Sequence, residues 1–322
     1  MAIVETTDLT KIYVQDVIGM EYGRVKIRLK GRRVAALQDL NLTVNEGEIF
    51  GLLGPNGAGK TTAIKIFMGL IFPTRGNARI MGKSLGDRNV KAQIGFLPEN
   101  PYFYDYLKGW EFLDYYGQLY GMGRAARRAK IDQILALVGL TEAANLPLKG
   151  YSKGMLQRIG LAQALLNDPR IVFLDEPQSG LDPFGRKEIR DIILKLKEEG
   201  KTVFFSSHIL SDAELICDRV GILYKGKLIN VGYLRDLLSA KIKEYEIVAS
   251  DLPDELLKDL EQKCERVITR KQDVMFCVRE KAGAEQVVRT ILASPAQLVS
   301  YTPRQETLEE YFIRQIEGGE QY

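Results

Sequence analysis

The stretch Ile49-Phe50-Gly51-Leu52-Leu53-Gly54-Pro55-Asn56-Gly57-Ala58-Gly59-Lys60-Thr61-Thr62 decides the fold. A short apolar run enters a glycine-rich turn, and beyond it Ile64, Phe67, Met68 and Ile71 recur at helical spacing until Pro73 stops them. The reading is strand, loop, helix. Gly54 through Thr61 fits G-x-x-x-x-G-K-[ST] at every fixed position. Glycines let backbone N–H groups curl around phosphate oxygens, and the helix N-terminus adds its partial positive charge. Lys60 is expected to reach the β- and γ-phosphates and the Thr61 hydroxyl to coordinate Mg²⁺, with Gly54, Pro55, Asn56, Gly57, Ala58, Gly59 and Thr62 forming the cradle. A glycine-rich turn without function is the bland alternative, and the flanking strand and helix argue against it.

Two further apolar runs end in polar residues. Ile171 to Leu174 leads into Asp175 and Glu176, and Thr202 to Phe205 leads into Ser206, Ser207 and His208. Short buried strands alternating with helices predict an α/β core with a mainly parallel sheet, whose ligand sits at the carboxyl ends of the strands. Asp175 is then placed to hold the metal or a metal-bound water, and Glu176 to act as general base. A pair of carboxylates at a strand end can also simply cap the next helix, a weaker reading beside a phosphate loop. His208 is the only histidine of the chain. A lone histidine is more often structural than catalytic, yet its place just past a strand makes a hydrogen bond to a γ-phosphate the expectation.

Between the first two runs, a helical stretch from about Gly109 to Leu166 is interrupted at Gly121, Gly139 and Pro147, which predicts an inserted helical subdomain over about residues 100–168. Beyond about residue 240 the pattern becomes strand, helix, two strands, helix, strand: Glu244 to Ala249, Leu252 to Lys263, Arg266 to Thr269, Val274 to Val278, Ala284 to Leu292 and Gln297 to Tyr301. That is the split βαβ, ferredoxin-like order, followed by a helix near Thr307 to Ile316. The predicted domains are 1–238 and 239–322. The second shows no site residues, so a dimerisation or packing role is expected of it.

The chain has 322 residues, enough to bury a large core, and its 45% hydrophobic and 27% charged content excludes disorder. A net charge of +3 is too small for a nucleic-acid footprint spread over the surface, so no nucleic-acid partner is expected. Cys217, Cys264 and Cys277 lack metal-like pair spacing, and the most apolar stretch, Ala63 to Phe72, is far short of a membrane span. A membrane role would require docking onto a partner.

Tyr151-Ser152-Lys153-Gly154-Met155-Leu156-Gln157-Arg158, about twenty residues before the Asp175-Glu176 pair, resembles the signature motif of ABC ATPases in the Y-S-K-G-M form found among exporter subunits. Ile94 to Glu99 is similar to the Q-loop, Ser179-Gly180-Leu181-Asp182 to the D-loop and Ser206-Ser207-His208 to the switch histidine. The resemblance covers about residues 3 to 235 and implies an ABC-type P-loop ATPase with N-terminal antiparallel strands, using ATP and Mg²⁺. It implies a head-to-tail homodimer or heterodimer of ATPase subunits, in which Ser152 and Gly154 of one copy, with Asp182 nearby, complete the nucleotide held by the other. It also implies a transmembrane permease partner, with membrane contact through it on the cytoplasmic face. Ser152 and Gly154 are expected to open a helix with a free hydroxyl and exposed amides, an anion site.

The chain departs from the pattern in three places. Glu99 stands where the Q-loop has glutamine, which keeps a metal-ligating oxygen but adds negative charge. Lys153 and Met155 replace the usual glycine and glutamine of the signature; Lys153 either adds a positive charge near the partner's nucleotide or faces solvent, and solvent is the expectation. Tyr13 matches the aromatic that stacks on adenine, but an insertion separates it from the phosphate loop. Within that insertion Arg24 to Lys30 alternates basic and apolar residues, a solvated strand face or a contact for anionic headgroups or an acidic loop. Nine aromatics crowd Tyr102 to Tyr120, part core and part expected interface with the permease. Export is the expected direction, after the two-component exporters. The alternative, a non-transport ABC ATPase acting on ribosomes or DNA, lacks its usual second ATPase domain or coiled coil.

Overall fold

The computed structural model describes residues 1–15, 18–21, 24–27, 32–238 and 242–319. Two compact units, Met1–Leu234 and Arg235–Tyr322, each enclose a core of their own.

The first unit is built on a six-stranded sheet in the order Lys227–Tyr233, Arg219–Tyr224, Ile49–Leu53, Thr202–Ser207, Ile171–Asp175, Ile94–Leu97. All neighbours pair in parallel except the first two. Ile49–Leu53, Ile171–Asp175 and Thr202–Ser207 are buried at every residue, which is why they are continuous apolar runs rather than alternating ones. Phe204 lies at their centre, its ring 5.4 Å from those of Phe50 and Phe173 and 5.5 Å from that of Phe67 on the helix above. These rings fix the phosphate-loop helix against the sheet.

That helix spans Lys60–Phe67, shorter than the sequence pattern predicts. Gly69, at φ +63°, rather than Pro73 ends it. Its N–H donates to Ile66 O at 2.8 Å and the N–H of Leu70 to Lys65 O at 2.9 Å, the paired bonds that satisfy the last helical carbonyls.

A second, antiparallel sheet runs Arg32–Asn45, Ala2–Gln15, Arg75–Ile80, Lys83–Ser84. Within the insertion Ile18–Glu21 pairs with Arg24–Ile27 as a separate antiparallel pair. Residues 28 to 30 of the basic alternating run lie outside the described residues. The helical insert consists of Gly109–Leu119, Arg124–Leu137 and Lys153–Leu165 with a short 3₁₀ turn at Leu148–Gly150. The crowded aromatics divide there: Phe112 is buried, while Tyr102 and Tyr106 are exposed.

The second unit pairs Arg266–Arg270, Asp273–Val278, Ile242–Ser250 and Gln297–Gln305 in that spatial order, all antiparallel. In chain order the strands stand 2-3-1-4, the arrangement that two βαβ halves give. Helices Asp254–Glu261 and Lys281–Leu292 seal its core of Ile247, Phe276, Leu260, Val287 and Ile291, and Leu308–Gly319 follows. No helix among the described residues is long and apolar enough to cross a membrane.

Candidate functional site

The carboxyl ends of Ile49–Leu53, Ile171–Asp175 and Thr202–Ser207 bring the phosphate loop, the paired carboxylates and the histidine to one edge of the sheet. A cavity of about 440 Å³ opens over this edge, lined by Ala36, Asn56 to Thr62, Glu99 and Glu176. Gly59 must be a glycine: its φ is +111° and a Cβ there would stand 2.3 Å from Ala36 O. Ala36, at a register shift of its strand, is a lining residue the sequence did not announce.

Lys60 is buried at the base of the loop. Its Nζ donates to Gly54 O at 2.7 Å and Pro55 O at 3.2 Å and lies 3.0 Å from Glu176 Oε1. That last contact is an ion pair, and the buried Oε1 has no hydrogen-bond partner. The other oxygen, Oε2, is 2.7 Å from His208 Nδ1. Glu176 therefore sits between a cation and an imidazole, at φ +50°, outside the range its type prefers.

Asp175 has different surroundings. Its Oδ1 accepts from Ser206 Oγ at 2.7 Å and from Thr61 Oγ1 at 3.1 Å. Burial pushes its pKa above the ordinary carboxylate value; the two hydrogen bonds oppose the shift and the neighbouring Glu176 charge adds to it. Ser206 Oγ also accepts from the N–H of Glu176 at 2.9 Å. This wholly buried serine thus holds the Asp175 carboxylate and the Glu176 backbone, a role that its place in the sequence did not reveal.

A family model described as ABC transporter matches residues 37–179. An uncharacterized ABC transporter ATP-binding protein of Synechocystis sp. is 45% identical over 316 residues, 98% of this chain and 84% of the relative. The chain belongs to the ABC transporter ATP-binding proteins. The bacitracin transport ATP-binding protein BcrA of Bacillus licheniformis is 35% identical to it over 98% of both chains. Among solved structures, an ATP-binding subunit of an ABC transporter aligns with a TM-score of 0.59 at 30% identity, covering 73% of this chain and 91% of that one. The ATP-binding cassette MJ0796, in a dimeric post-hydrolysis state with ADP and Pi, aligns at 0.61 and 27% identity over 72% of this chain and 99% of that one. This ABC subunit is an ATP-binding protein and an ATP hydrolase.

Tyr13, Ser152, Lys153 and Asp182 are among the residues named from the sequence that do not line the cavity of this ABC ATPase. Tyr13 is 39% exposed, with Lys11 Nζ 5.2 Å from its ring centre. Ser152 caps the signature helix, its Oγ accepting from Met155 N at 3.3 Å. Its hydroxyl oxygen is therefore engaged rather than free, and what remains for an anion is the O–H hydrogen and the amides near Gly154. Asp182 caps the following helix, Pro183–Glu198, by accepting from Gly185 N at 2.7 Å. Lys153 is exposed, in keeping with its expected solvent position, and its tip lies over Gly180.

Proposed function

We propose that this chain is one of a pair of ATPase subunits, identical or not, that drive export through a separate transmembrane permease on the cytoplasmic face of a membrane. The observation that carries the catalytic part is Glu176 held between Lys60 and His208, at 3.0 Å and 2.7 Å, beside the phosphate loop. One carboxylate oxygen is fixed by His208 and the other lacks a hydrogen-bond donor, so Glu176 can take the proton of an attacking water as general base. Lys60 exchanges the carbonyls of Gly54 and Pro55 for β- and γ-phosphate oxygens. His208 holds Glu176 in place and offers its ring to the γ-phosphate. Tyr13 supplies a face for adenine.

The oxygens of Thr61, Asp175 and Glu99 suit a hard divalent cation such as Mg²⁺. Thr61 Oγ1 and Asp175 Oδ1 lie 3.1 Å apart, and Asp175 is a buried carboxylate whose ionisation a cation would favour. When bound, Mg²⁺ neutralises charge on the phosphates. Ser152 and Gly154 complete the nucleotide of the other subunit, with the Asp182 segment beside it. The dimeric MJ0796 cassette supports the pairing. The bacitracin transport relative supports the coupling to transport.

The test is a pair of variants of the purified chain. Lys60→Ala is expected to weaken ATP binding itself, and Glu176→Gln to bind ATP normally while turnover falls about 10²–10⁴-fold, the usual worth of a general base. Unaltered affinity in the first, or near-normal hydrolysis in the second, contradicts the assignment.

A further inference from the structure

The signature helix Lys153–Leu165 opens with a lysine that points back into its own chain. A Cβ built on Gly180 would lie 2.0 Å from Lys153 Nζ and 3.2 Å from its Cε, so the end of the lysine rests on the α-carbon of that glycine. Gly180 belongs to a short segment with two fixed ends. Glu176 begins it at φ +50°, and Asp182 ends it by capping Pro183–Glu198. In between, Ser179 N donates to Glu176 O at 3.0 Å, Leu181 N donates to Gln178 O at 3.3 Å, and Gly180 takes φ +67°. Two left-handed residues in one short segment make its path depend on whatever packs against it. Lys153 packs against its middle.

The charge of Lys153 adds a second element. The first turn of the signature helix carries no acidic residue, and an ammonium at a helix N-terminus is repelled by the helix dipole. Contact with Gly180 holds the cation where its own helix disfavours it, one residue from Ser152. A triphosphate arriving at Ser152 attracts that cation.

We infer that Lys153 is a positioning residue that ties the signature helix tip to the Glu176–Asp182 segment, so that nucleotide at one site of the pair sets the placement of Glu176 at the other. The inference rests on the proposed role of Ser152 and Gly154 at the partner's nucleotide. Lys153 touches neither the water nor the phosphates bound by its own chain; it acts through Gly180.

The test is a double-mutant cycle on the full chain, reading ATP affinity, kcat and the Hill coefficient of ATPase against ATP. Lys153→Ala removes no buried contact and is expected to lower kcat about tenfold, leave ATP affinity unchanged and bring the Hill coefficient towards one. Lys153→Arg is expected to keep most of the kcat. Gly180→Ala places a methyl where the lysine tip sits and is expected to lower kcat similarly. The double variant is expected to be no worse than the poorer single, because both remove one contact. A Lys153→Ala kcat within twofold of the unmodified chain overturns the inference, as does a double variant whose loss is the product of the two singles. Failure of the underlying dimer reading shows separately, as a Glu176→Gln chain that stays single with Mg-ATP.

Discussion

Asp175 and Glu176 are adjacent carboxylates with opposite surroundings, one accepting two hydroxyl hydrogen bonds and the other lying between a lysine and a histidine. Burial raises the Asp175 pKa from the ordinary 3.8, so the folded chain holds that proton more tightly than the unfolded chain. Stability contributed by this group is therefore present at low pH and falls as pH rises through the folded-state value. Asp175→Asn removes the effect. In chelator, the melting temperature of the variant minus that of the unmodified chain is expected to grow more positive as pH rises from the ordinary carboxylate value of 3.8; a difference that shrinks contradicts the sign. Ser206→Ala leaves the buried Glu176 N–H without its acceptor, an expected cost of about 1–3 kcal/mol measurable by denaturant unfolding. A change below about 0.5 kcal/mol would show that the serine is dispensable. Lys60, Thr61, Asp175 and Glu176 were legible because phosphate chemistry demands those residue types at strand ends. Ser206 and Ala36 were not, because a serine or alanine near a strand end has too many ordinary explanations.

At the scale of elements, the buried parallel strands could be read directly, since burial on both faces forces uninterrupted apolar runs. The long strands Ala2–Gln15 and Arg32–Asn45 could not, because register shifts along their pairing break the alternation that would reveal them. The end of the phosphate-loop helix was misplaced for a related reason. Apolar spacing continues to Ile71, but Gly69 reverses the chain first, and backbone hydrogen bonding outweighs side-chain pattern there. Gly69→Ala forces a Cβ into φ +63° and is expected to destabilise the chain by about 1 kcal/mol, lowering its melting temperature by about 2–4 °C. An unchanged melting temperature contradicts the turn's role. The signature helix shows the other limit of sequence reading: the pattern placed its start, but only the structure shows that Lys153 turns back onto Gly180.

At the scale of the molecule, the change of pattern near residue 240 was visible because a βαββαβ order replaces the α/β alternation. Ile247, Phe276, Val287 and Ile291 close a core within Arg235–Tyr322. Residues 235 to 322 expressed alone are therefore expected to give a cooperative thermal transition, and a gradual, featureless melt contradicts a self-sufficient core. For the whole chain, the central claim is that ATP gripped by one phosphate loop is completed by the helix tip of a second subunit. Size-exclusion chromatography with light scattering on the Glu176→Gln chain tests it most directly. The account predicts a single chain without nucleotide and a pair with Mg-ATP; a species that binds Mg-ATP and remains single at every protein concentration contradicts it.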